Sequence, residues 1–116
     1  MTERRELLDY ASKVLDGDYG LGVRATRTAA LLARRAFEDW LDEKCADWST
    51  DVNSDRPPAT TSKLVALGAL HGEELGERAK VVWHGLSRAV HLHAYELAPS
   101  VAEVRLLVSR VEQLAG

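Results

Sequence analysis

At 116 residues with a single cysteine, the chain is long enough for one domain with a sizeable core, which sets aside a disulfide scaffold or a chain of two domains. Hydrophobic residues make up 46% and charged residues 28%, usage that excludes a disordered chain. The formal charge of −3 and a pI near 5.8 exclude a globally basic nucleic-acid binder, so any phosphate contact has to be local.

The charged start, Met1-Thr2-Glu3-Arg4-Arg5-Glu6, lacks the apolar core of a signal peptide, and no apolar run approaches the roughly 20 residues of a membrane span. A cytoplasmic location with no membrane contact is expected. In such a reducing setting Cys45 is expected to be a partly buried structural thiol.

Leu7, Leu8, Ala11, Val14 and Leu15 recur at helical spacing, which predicts a first helix over residues 3–15 with Thr2 as its cap. Asp16-Gly17-Asp18-Tyr19-Gly20-Leu21-Gly22 stops it and reads as a tight connector. From Val23 to about Trp48 a second, longest helix is predicted, with Ala29, Ala33, Ala36, Phe37, Trp40 and Leu41 on one face. Arg24, Arg27, Arg34 and Arg35 cluster within about a third of its circumference at ~100° per residue. This stripe is either a solvated face, interleaved with Glu38 and Asp42, or a phosphate-facing one.

Residues 49–61 form a polar loop holding Pro57 and Pro58. Thr60 or Thr61 then caps a short third helix carrying Leu64, Val65, Leu67 and Leu70, which ends near His71-Gly72, with His71 as a surface or capping residue. A fourth helix is predicted from about Glu73 to Leu97, broken by Pro99. Ser100 and Glu103 have the form of a capping box for a fifth helix that buries Val101, Val104, Leu107, Val108, Val111 and Leu114. No segment alternates like a strand. The predicted fold is therefore all-α: one domain over 1–116, an up-and-down helical bundle of about five helices with the long second and fourth as its central pair.

The fourth helix carries the densest chemistry, with three of the four histidines between Trp83 and Glu96. On a wheel, Val82, Trp83, Leu86, Ala89, Val90, Ala94 and Leu97 share a broad apolar face with His93 in its middle, about 140° from Arg88. His84, Arg88, His91 and Tyr95 fall on the opposite side beside Val81 and Leu92. Such a mixture suits an interface or cleft, and a homodimer through this helix is its expected partner. His91 and His93 point ~200° apart, so no metal site is predicted.

Arg88, four residues, His93, one residue, Tyr95 resembles the signature of the HEPN superfamily, especially the HEPN toxins paired with a minimal nucleotidyltransferase antitoxin. The likeness extends to the long second helix ending in Phe37-Glu38-Asp39-Trp40-Leu41. It implies a helical bundle that dimerises through the motif helices and cleaves RNA without metal or other cofactor. Arg88 would hold the scissile phosphate and stabilise its developing charge, and His93 would act as general acid or base. Tyr95 would be the acceptor of nucleotide from the antitoxin; His91 and His84, which the motif's spacing does not select, are supporting candidates by their place on the same face of the wheel as Arg88.

Active members carry a polar residue after the arginine, where this chain has Ala89. That departure and the acidic pI favour the alternative of a non-catalytic HEPN-fold interaction or RNA-binding module. A third alternative is a plain structural bundle in which Arg88 pairs with a carboxylate such as Glu38.

Overall fold

A computed structural model describes residues 2–46, 59–91 and 99–115. Among these residues there are five α-helices, one 3-10 turn and no strand, so the chain is an all-α helical bundle. The helices are α1 (Thr2–Leu15), α2 (Ala25–Lys44), α3 (Thr60–His71), α4 (Glu73–Val90) and α5 (Val101–Ala115), with the 3-10 turn Gly22–Arg24 leading into α2. None of these helices is long and apolar enough to cross a membrane.

Helix α2 is the centre of the bundle, in contact with all four others. Its buried stripe is small at one end and large at the other: Ala29, Ala30, Ala33 and Ala36 are inaccessible, and Phe37, Trp40 and Leu41 nearly so. Alanines let α1 approach closely with Leu8, Ala11, Val14 and Leu15. Together with Leu64 and Leu67 of α3, Ala79, Val82, Leu86, Ala89 and Val90 of α4, and Val104, Val108 and Val111 of α5, these side chains form one core cluster.

The ends of the helices are set by specific contacts. Gly17, at φ +89°, turns the chain out of α1, a conformation that costs a residue with a Cβ but not glycine. Helix α2 ends at Lys44 and not near Trp48, because Cys45 leaves helical geometry (φ −104°, ψ 12°). Its buried thiol donates to the Lys63 carbonyl at 3.4 Å, and the His71 imidazole closes the Lys44 carbonyl at 3.2 Å. Burial pushes the Cys45 thiol up, as befits a packed and unreactive sulfur. His71 is thus a capping residue, of a neighbouring helix.

Neither Thr60 nor Thr61 caps α3; the extended Ala59 stands at that position and its carbonyl accepts the Lys63 amide. The Ser100 hydroxyl does cap α5, accepting the Glu103 amide at 3.1 Å. Val101 remains 41% exposed, in the turn before α5 reaches the core, while Leu107 and Leu114 are half-buried. The polar stretch from 49 to 58 lies outside the described residues.

Charged side chains tie the helices together at the rim. Arg4 of α1 reaches both Asp39, at 3.0 Å, and Glu43 of α2, which sets the two helices antiparallel. Asp42 pairs with Lys63 of α3, and Arg105 of α5 pairs with Asp16 after α1. The hydrogen bond from Arg4, and then its charge, hold the Glu43 carboxyl below its ordinary value of 4.5. The folded chain thus binds a proton there less readily than the unfolded one, so the pair stabilises above about pH 4.5 and its contribution is lost as pH falls further. Acid titration of the thermal midpoint should show this loss in the parent chain, and Arg4→Met should be less stable at neutral pH but lose less on acidification.

Helices α3 and α4 form a tight hairpin about Gly72, whose φ of +109° makes the one-residue turn. They meet at Gly68 and Gly76, where a Cβ on Gly76 would stand 2.8 Å from the Gly68 Cα and 3.2 Å from its nitrogen. A Cβ on Gly68 would sit at an ordinary 3.9 Å from Gly76. Gly76→Ala should therefore force the helices apart and destabilise by about 1–3 kcal/mol. Gly68→Ala should be neutral or stabilising by up to about 1 kcal/mol, since alanine favours a helix interior. Thermal melts of the two variants check the asymmetry; equal effects would show that the crossing is not backbone-limited.

Candidate functional site

The two faces of α4 separate as its periodicity requires. Val82, Leu86, Ala89 and Val90 are buried against the core, whereas Val81 is 55% exposed and His84 and Arg88 are exposed. Ala89, directly after Arg88, is 4% exposed and belongs to the core, which gives an apolar residue at that position a packing role.

Helix α4 ends at Val90, seven residues before the end expected near Leu97. His91 is extended (φ −91°, ψ 95°), although its amide still donates to the Ser87 carbonyl at 3.0 Å. The wheel angle of 140° between Arg88 and His93 presumes a helix that continues through both, so it does not apply. His93 and Tyr95 themselves lie outside the described residues, as do Leu92, Ala94 and Leu97.

At this helix end the chain brings together side chains from α2 and α4. The Arg34 guanidinium lies over the Trp83 ring, 4.5 Å from its centroid, and Phe37 stacks with the same ring at 5.9 Å and 25°. Phe37 in turn tilts against Trp40 at 5.7 Å. Arg34 Nε donates to the Glu38 carboxylate at 3.2 Å, one turn along α2, and its Nη1 stands 3.5 Å from His91 Nε2. A cation over an indole face contributes about 0.5–1 kcal/mol at an accessible site, enough to favour one orientation of a long side chain. Arg34 is therefore held over an aromatic stack that itself roots in the core.

Arg34 and His91, predicted separately, converge; His84 does not join them. His84 lies along a groove of about 1070 Å³ between α3 and α4, with Thr61, Val65, Gly68, Glu77 and Lys80. Arg24, Arg27 and Arg35 are exposed and make no ion pair with any described residue. The same holds for Arg88, and Glu38, its suggested carboxylate, is taken by Arg34. Among the described residues no three His, Cys, Asp or Glu side chains are grouped to hold a metal ion.

Sequence reasoning missed Trp83 and Glu38 as members of this cluster. The signal for Glu38 was its i,i+4 spacing from Arg34. For Trp83 it was a place at the margin of the apolar face of α4, where an antiparallel neighbour reaches its ring. No family model matches the chain, and neither does any curated protein or solved structure.

Proposed function

We propose that the chain is a HEPN-type, metal-independent endoribonuclease that works as a homodimer, a toxin or defence component whose partner is a nucleotidyltransferase antitoxin. The observation that carries this reading is the position of Arg88: exposed on the last turn of α4, one turn before the helix gives way at His91. In this reading Arg88 and His93 would serve one phosphate, a pairing that a helix continued past Val90 would oppose and that its end at Val90 permits.

In the proposed reaction the Arg88 guanidinium binds two phosphate oxygens and offsets the charge that builds on them. The 2′-oxygen of the preceding ribose bonds to phosphorus as the bond to the 5′-oxygen breaks. His93 takes the 2′-hydroxyl proton or delivers one to the leaving oxygen, and the second copy's histidine serves the other role. Products are a 2′,3′-cyclic phosphate and a 5′-hydroxyl, with no water or metal consumed. The exposed strip of α4, with Val81 amid His84 and Arg88, is the proposed dimer surface, and Tyr95 the acceptor through which the antitoxin silences the site.

A second reading, a HEPN-fold interaction or RNA-binding module without chemistry, is favoured by the burial of Ala89 where active members carry a polar side chain. Incubation with RNA in EDTA separates the two. Cleavage with cyclic phosphate ends should appear, and Arg88→Ala or His93→Ala should reduce it by about two to four orders of magnitude. If parent and variants are equally inert on varied RNAs, the nuclease reading is wrong and the module reading stands.

A further inference from the structure

The charges of α2 run against its own dipole. Residues 19–37 hold four arginines and no Asp or Glu, whereas residues 38–44 hold Glu38, Asp39, Asp42 and Glu43 with one lysine. The amino end of a helix is partially positive and its carboxyl end partially negative, so arginines in the first turn and carboxylates in the last are unfavourably placed. At the acidic end the fold explains the arrangement, since Asp39 and Glu43 hold Arg4, and Asp42 holds Lys63. At the basic end no ion pair or side-chain hydrogen bond among the described residues engages Arg24, Arg27 or Arg35.

Arg34 stands where this basic half meets the end of α4. Its guanidinium sits over the Trp83 ring and its Nε is engaged by Glu38, which leaves the Nη nitrogens as the recognising groups. Beside them is the exposed His91, with Nη1 and Nε2 at 3.5 Å, the upper limit of a hydrogen bond. An anionic oxygen that accepts from both nitrogens satisfies them better than they satisfy each other.

We propose that Arg34 and His91 form a phosphate subsite for single-stranded RNA, continued along α2 by Arg27 and Arg24. Arg27 is two turns from Arg34, ~20° around the helix and ~10.5 Å along it, a distance that roughly three stacked nucleotides cover at ~3.4 Å each. Because the guanidinium is already ordered on Trp83, binding does not have to immobilise it. Glu38 then has a double effect: it orients Arg34 and also weakens the field felt by the phosphate. The proposal rests on the RNA reading above and adds a backbone contact outside the Arg-x4-His-x-Tyr motif, one that does not require cleavage.

The test is anisotropy of a labelled oligouridylate over a series of salt concentrations, with thermal melts of every variant. Arg34→Gln and His91→Gln should each weaken binding about tenfold, and Arg34→Gln should lower the salt slope by about 0.7. Arg27→Gln should lower the slope by a similar amount. Glu38→Gln should tighten binding several-fold, an effect that a merely structural Arg34–Glu38 pair does not produce. Parent-like affinity in both Arg34→Gln and His91→Gln, a parent dissociation constant weaker than about 10⁻⁴ M at low salt, or equally tight binding of polyglutamate overturns the proposal. Cleavage that persists with an unchanged KM in Arg34→Gln overturns it while leaving the nuclease reading intact. RNA binding through Arg34 and His91 without any cleavage does the reverse.

Discussion

The bundle depends on the burial of one face of α2. Ala25, Ala29, Ala30 and Ala33 line the buried side of its first half, while Phe37, Trp40 and Leu41 fill the interior along its second, where Phe37 meets Trp83 of α4. Such a graded stripe fixes more than stability. Large side chains at one end of a close-packed interior leave few alternative registers. Phe37 therefore sets where Trp83 can lie, and Trp83 sets where the Arg34 guanidinium lies. The candidate site is the outer layer of a stack whose inner layer is core.

Because α2 is central, its polar residues are distributed among neighbours instead of facing one solvent layer. Its acidic end is consumed by ties to α1 and α3, so those carboxylates serve assembly even though they sit at the wrong end of the helix dipole. Exposed ion pairs of this kind are individually weak, on the order of 0–1 kcal/mol, and their value lies in fixing orientation. An acidic chain can in this way carry a locally basic ridge. A net charge of −3 excludes a global attraction for nucleic acid but is compatible with three arginines on α2 and Arg24 at its cap, with no acid beside them in the chain until Glu38.

Much of this fold was legible in the sequence, because three-four spacing reports burial directly: the stripes of α1 and α2, that of α4 as far as Val90, the Gly72 turn and the Ser100 cap lie where periodicity and turn chemistry put them. The site was legible only in part. Arg88 and His84 are exposed as the wheel requires, but a wheel holds one helix, and the stack of Arg34 on Trp83 belongs to two. The end of α2 at Lys44 was hidden for a similar reason: no glycine or proline marks it, and the Cys45 and His71 contacts that close it come from α3, far along the chain.

The stop at Val90 has the same character and bears most on function. From His91 to Leu97 the sequence holds no glycine or proline, and its residues cost only a few tenths of a kcal/mol each in a helix relative to alanine. Local preference therefore carries a helix on to Pro99, and periodicity built on that preference turns His93 away from Arg88. A backbone angle of 95° at His91 redirects the chain next to Arg34 instead, at a point that local propensity does not mark. Helical spacing orders the described side chains of this helix as far as Val90. His91, the first residue past the helix, is already extended and stands beside Arg34, so a side chain of α2 meets the chain at the point where the helical order of α4 ends.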